Sequence, residues 1–193
     1  MNEFRNTITN EEVAALPKVI FSGSVEIVET EAGVNAACDY LLRCPRIGFD
    51  TETRPSFKAG VTNKVALLQL SSEERCFLFR LSKMRLDKAI IKVLSNPDIM
   101  KVGAAVHDDI KGLQALRRFK PAGFVDLQSI VGKYGIEEKS VRKLAAIVLG
   151  AGVSKAQRLS NWEAAAYTPA QMSYAATDAW VCLEIYNKMT EEQ

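Results

Sequence analysis

Metal-binding nitrogen and sulfur are scarce in these 193 residues. His107 is the sole histidine, and the four cysteines, Cys38, Cys44, Cys76 and Cys182, never form a C-x-x-C pair. A structural zinc site draws about four Cys or His ligands at close spacing, so that class is excluded. The thiols read as reduced and mostly buried, as in a cytoplasmic protein. No apolar run reaches the ~18 residues of a membrane span. The opening Met1-Asn2-Glu3-Phe4-Arg5 is polar and mixed in charge, without the basic-then-apolar order of a secretion signal. No G-x-G-x-x-G or G-x-x-x-x-G-K-[ST] loop occurs, which argues against the nucleotide-binding classes built on such loops. An excess of charge is lacking too. Lys and Arg number 25 against 23 Asp and Glu, for a net charge of +2. That excludes a histone-like polycation, so any contact with nucleic acid must be local.

What is present suits one soluble domain. Hydrophobic residues make up 48% and charged residues 25%, ordinary values for a globular core. Residues 1–22 read as an N-terminal arm, with Thr9 or Asn10 capping a short helix that Pro17 ends. Residues 23–193 read as the folded domain. Strand patterns cover Ser24–Val28, Arg46–Glu52, Lys64–Leu70, Arg75–Phe79, Met100–Ala104 and Gly123–Asp126. The polar turn Ser71-Ser72-Glu73-Glu74 implies an antiparallel pair. Helices are predicted after Thr30, over about Asp87–Leu94 and Val106–Phe119, and through most of the chain beyond Leu127. A meander followed by helix–strand alternation predicts an α/β layer architecture with a mixed sheet.

Several acidic residues stand where apolar ones would be expected. Asp50 and Glu52 point to one face of a strand, at the C-terminal end where α/β folds hold their sites. Side by side they repel and resist burial; a divalent cation between them removes both problems. A solvent-facing strand end would also fit this pair. In the last helix Thr168, Pro169 and Gln171 make a capping box with proline at its first position. Tyr174, Asp178, Val181 and Ile185 then share one stripe, which puts a carboxylate and a phenol in line with apolar side chains. In the helix after His107, Asp109 lies about 45° from the centre of the Val106–Ile110–Leu113 face and Asp108 about 145° away. Asp109 is therefore the inward acid. Asp108 reads as a first-turn acid favoured by the helix dipole, and His107 as a local hydrogen-bonding residue. Oxygen ligands without Cys or His select Mg²⁺ or Mn²⁺.

These segments resemble the DEDD superfamily of 3′→5′ exonucleases. The resemblance is carried by Phe49-Asp50-Thr51-Glu52, Val65 to Gln69-Leu70, Gly103 to Asp109, Ser160-Asn161-Trp162 and Tyr174-Ala175-Ala176-Thr177-Asp178. It runs from about residue 24 to 190 and is strongest to the ribonuclease D and Werner-type exonuclease domains of the DEDDy subclass. The sister subclass carries a His five residues before the last Asp. Here that position is Ser173, with Tyr174 one residue later.

The resemblance implies a ribonuclease H-like fold with a five-stranded mixed sheet flanked by helices. It implies two-metal hydrolysis, with two Mg²⁺ or Mn²⁺ ions, that removes nucleoside monophosphates from a 3′ end. Asp50, Glu52, Asp109 and Asp178 would be the metal ligands, and Tyr174 would orient the attacking water. Thr51, Arg54, Phe57, Lys58, Lys155 and Arg158 are the expected substrate contacts, since Arg and Lys suit phosphates and an aromatic suits a base. Many relatives carry an aromatic directly after the first Glu, where this chain has Thr53. Trp162 reads as a packing residue, and Arg142 and Lys143 as residues lining a helix. The expected partner is single-stranded or 3′-overhanging DNA or RNA, with no membrane. No helicase or helical nucleic-acid-binding segment occurs among the 193 residues. The expectation is thus a lone domain of low processivity, or one recruited by a protein partner. A nucleic-acid-binding module of the same fold with weak catalysis is the alternative, but such a relative would normally have lost one of the acids.

Overall fold

The computed structural model describes residues 4–58 and 60–191. Six strands form one sheet in the order β1-β4-β3-β2-β5-β6. They are β1 (Ser24–Val28), β2 (Arg46–Thr53), β3 (Val65–Ser71), β4 (Arg75–Phe79), β5 (Met100–Gly103) and β6 (Phe124–Asp126). Only β3 runs against its neighbours; every other adjacent pair is parallel. The sheet is mixed, as expected, but it has six strands where the resemblance implied five. One edge is formed by β1, which lies parallel to β4.

The seven residues of β3 are all buried, as its continuous apolar pattern requires of a central strand covered on both faces. The β3–β4 turn is fixed by the Ser72 hydroxyl, which accepts from the backbone N–H groups of Glu74 and Arg75.

Helices α1 (Asn10–Ala15), α2 (Glu31–Leu41), α3 (Lys88–Leu94), α4 (Val106–Leu116), α5 (Leu127–Ile130), α6 (Val141–Leu149) and α7 (Pro169–Glu191) pack around the sheet, with a 3₁₀ turn at Val131–Tyr134. The capping signals are realised. Thr9 and Glu12 form a reciprocal box at α1, and Thr168 and Gln171 do the same at α7. Asp87 and Asp126 cap α3 and α5.

One sheet face, including Phe49, Leu68, Leu70 and Phe79, packs with residues of α2, α3 and α4 in an apolar core. The other face meets α7, which crosses β2 at Gly48. A Cβ there would lie 2.0 Å from the Ala179 carbonyl oxygen, so no larger residue fits. The segment before β1 is held to this second layer. Val13 packs with Ala146 of α6, Val19 pairs with Gly152, and the Phe21 N–H donates to Thr177 of α7. Among the described residues no helix is long and apolar enough to cross a membrane. All four cysteines are unpaired, three of them buried.

Candidate active site

Three elements meet at the C-terminal end of β2. Strand alternation sends Phe49 and Thr51 to the α4 side and Gly48, Asp50 and Glu52 to the α7 side. There Asp50 and Glu52 meet Asp178. One carboxylate oxygen from each of the three lies within 4.8 Å of the others. Among the described residues none of them forms a salt bridge with Lys or Arg. A cluster of carboxylates with no salt-bridged cation fits a divalent ion, which would supply the missing charge.

The electrostatics follow from that crowding. Burial, then the charges of Asp178, Glu52 and Asp109, push the Asp50 carboxyl well above the usual range. Burial and the neighbouring Asp178 and Asp109 lift Glu52 to about 8. Asp178 rises to about 7 through burial, opposed by a hydrogen bond that the Tyr174 hydroxyl donates to it. Tyr174 itself is pushed above its ordinary value, mainly by burial and then by Asp178 and Glu52, so its hydroxyl keeps its proton. Its ring lies 6.1 Å from that of Trp162. Trp162 is fully buried, with its carbonyl accepting from the Tyr167 hydroxyl; it packs, as expected.

Asp109 is close enough for its charge to act on Asp50 and Glu52 but lies outside their 4.8 Å cluster with Asp178. Its carboxylate accepts a 2.5 Å hydrogen bond from the Thr51 hydroxyl, and burial raises it to about 6 against the effect of that bond. It lies in the first turn of α4, beyond Ala105, whose left-handed backbone (φ 56°) makes the turn from β5. Asp108 and His107 of the same turn are exposed. Thr51, expected to touch substrate, is thus engaged with an acid on the far face of its strand.

The cleft beside the carboxylates is about 180 Å³ and is lined by Asp50, Tyr174, Asp178, Arg142, Lys155 and Arg158 among others. Lys155 and Arg158, read in the sequence as substrate contacts, lie on the wall of this cleft. Arg142 departs from the sequence reading, which left it on a helix surface. It lies in the first turn of α6, and that turn opens onto the cleft. Periodicity could not reveal this, because the cleft wall belongs to the segment 150–158 and to α7. A second, more apolar cavity adjoins the first, sharing Val153, Ser154, Tyr174 and Asp178 and adding Val19, Ile20 and Ser173. Arg54 pairs loosely with Glu163 at 3.4 Å, and Phe57 is 89% exposed. Lys58 is exposed on the same loop.

A mixed sheet whose central strand delivers two acids to a third on a crossing helix is the architecture of a ribonuclease H-like nuclease. Comparison with known proteins narrows the class. The 3′-5′ exonuclease domain family matches residues 25–193, and the chain belongs to that family. The bifunctional 3′-5′ exonuclease/ATP-dependent helicase WRN of Mus musculus is 37% identical over 151 residues, 74% of this chain and 11% of that protein. The Nibbler EXO domain of Aedes aegypti superposes with a TM-score of 0.75 at 25% identity, over 87% of this chain and 88% of that one. Ribonuclease D of Trypanosoma brucei in complex with RNA U12 shares the fold, with a TM-score of 0.78 at 21% identity over 88% and 63% of the two chains. The chain spans about a tenth of the mouse relative's length.

Proposed function

We propose that this chain is a divalent-metal-dependent 3′→5′ exonuclease that releases nucleoside 5′-monophosphates from the 3′ end of a DNA or RNA strand by two-metal hydrolysis. The observation that carries this reading is the convergence of Asp50, Glu52 and Asp178, with oxygens within 4.8 Å of one another. Crowded, half-buried carboxylates of raised pKa are poorly placed as a surface feature and well placed as cation ligands. Asp50, Glu52 and Asp178 would hold the ions together with Asp109, which joins them by turning from Thr51. Their oxygen chemistry matches Mg²⁺ or Mn²⁺. When bound, the ions would supply a lowered pKa for the attacking water and charge stabilisation at the phosphate and the leaving 3′-oxygen.

The remaining work falls to the chain's own groups. Tyr174 keeps its proton and directs a lone pair of the attacking water by its hydroxyl. Arg142, Lys155 and Arg158 balance the phosphate charge beside an acidic site. Thr51 contacts the terminal nucleotide once Asp109 leaves it. Arg54 and Lys58 hold the strand further out, and Phe57 offers a face for base stacking. The Arg54–Glu163 pair is more than a third exposed on both sides and is easily exchanged for a phosphate. The Trypanosoma brucei neighbour solved with RNA U12 supports a nucleic-acid strand as substrate.

The test is a time course with Mn²⁺ on 5′-labelled single-stranded RNA, single-stranded DNA and a recessed duplex. A ladder that shortens one nucleotide at a time from the 3′ side is expected, and the relative rates identify the substrate. Asp50→Asn should abolish the ladder while the protein stays folded. Undiminished digestion by that variant would refute the reading.

A further inference from the structure

Gln69 lies in the segment Val65 to Leu70 that accompanied the acidic motifs in the sequence, and the roles above leave it unused. It sits in the fully buried strand β3, with its side chain at 0% exposure. Among the described residues four buried side-chain polar atoms lack a hydrogen-bond partner, and two of the four are the amide nitrogen and oxygen of Gln69. Leaving such groups unpaired is costly, because they forgo their hydrogen bonds to water with nothing in exchange. Its neighbours do not call for an amide. Across β4 it faces Leu78, and Leu67 two residues earlier belongs to the apolar cluster with Ala175, Ala176 and Trp162. An apolar side chain would satisfy that packing.

The register supplies the missing reason. Gln69 is the direct cross-strand partner of Asp50. Opposed residues of an antiparallel pair project to the same face with Cβ atoms about 4.5–5.5 Å apart. The unpartnered amide therefore stands beside the carboxylate on the α7 side of the sheet.

We propose that Gln69 is a positioning residue for Asp50, its amide N–H donating to one carboxylate oxygen when Asp50 binds a divalent cation, so that the other oxygen faces the ion. The inference rests on the metal-dependent reading of the site. An ion held on one carboxylate oxygen fixes the rotation of the group and leaves the other oxygen as acceptor for the amide opposite. Outer partners of metal-binding side chains commonly change affinity or activity by about 10–100-fold.

The test uses Gln69→Met, which keeps length without a donor, and Gln69→Leu as a second apolar variant. Thermal unfolding is followed in EDTA and across an Mn²⁺ titration, with oligonucleotide digestion measured alongside. In EDTA both variants should unfold no lower than the natural protein. The Mn²⁺ concentration giving half of the stabilisation should rise about tenfold or more, and kcat should fall with KM for the oligonucleotide unchanged. An unaltered Mn²⁺ midpoint in Gln69→Met would overturn the proposal. So would the unfolding of both variants in EDTA, which would assign Gln69 to the fold. Absence of any Mn²⁺ effect on the natural protein, with or without oligonucleotide, would instead overturn the metal-dependent reading on which the proposal stands.

Discussion

Charge is withdrawn from solvent in two regions of this molecule, fully for the cations Lys101 and Arg80 and partly for the acids Asp50, Glu52 and Asp178, and they are built to opposite rules. On the cationic side the buried head groups of Lys101 and Arg80 are met by acceptors, the Arg80 Nε alone excepted. The Lys101 ammonium, fully buried, donates to the carbonyls of Asn96 and Ile99. The Arg80 guanidinium, 2% exposed, bonds to Glu29 and to the carbonyls of Ala164 and Ala165, and lies 4.2 Å from the Tyr167 ring centroid. On the acidic side Asp50, Glu52 and Asp178 converge, and among the described residues none of them is salt-bridged to a Lys or Arg. The first arrangement spends its polar groups on holding the chain, here fastening the 164–165 loop to the end of β4. The second leaves a debt of charge that a ligand must settle. A buried charge met by acceptors serves the fold; a half-buried cluster that repels itself is selected for what it binds.

Removing one charge from each region should separate the two rules. The largest effect is expected for Asp178→Asn, which should lower Mn²⁺-dependent digestion by on the order of 10³ or more while raising the unfolding temperature in EDTA at pH 8. A lowered unfolding temperature there would mean that the cluster stabilises the protein. Arg80→Leu should do the reverse and destabilise the fold by about 2–4 kcal/mol, since two backbone carbonyls lose their donors; urea unfolding gives the number.

The pH dependence sharpens the contrast. The acidic cluster has folded pKa values above those of the unfolded chain, with Glu52 near 8 and Asp178 near 7. The folded state therefore holds more protons between about pH 4 and pH 8, and stability without metal should fall as pH rises through that window. Lys101 runs the other way. Burial lowers it to about 8 from 10.5, so the unfolded state holds more protons above pH 8 and its contribution should rise towards pH 10.5. Asp178→Asn should flatten the first slope and Lys101→Met the second, read from unfolding curves in EDTA. The smallest effect is expected at Ala105, where the left-handed backbone strains a residue with a Cβ. Ala105→Gly should stabilise by no more than about 1 kcal/mol, and a marked loss of stability would show that the Cβ packs usefully.

Much of the frame is legible in the sequence because it rests on local chemistry. Thr168, Pro169 and Gln171 announce the start of α7, and the continuous run Val65–Leu70 announces a buried strand. Asp50 and Glu52 share a face by alternation alone, and helical spacing keeps Tyr174 and Asp178 together. What escaped depends on elements meeting at a distance. Asp109 does face inward, but only the approach of β2 to α4 offers it the Thr51 hydroxyl. Arg142 looks like a solvated helix residue until segment 150–158 folds beside it. Gln69 reads as one polar residue in an apolar strand, and only the β2–β3 register shows that it stands opposite Asp50. Gly48 gives no sign in the sequence that the Ala179 carbonyl will rest on it. Strand β1 is visible as a pattern, but its parallel place beside β4 is a matter of topology.

The most direct test is calorimetric titration of Mn²⁺ into the metal-free protein and into Asp178→Asn, both with a bound oligonucleotide resistant to hydrolysis. The account predicts saturable binding by the natural protein and its loss, or a weakening of at least about tenfold, in the variant. Equal binding by the two proteins would contradict it.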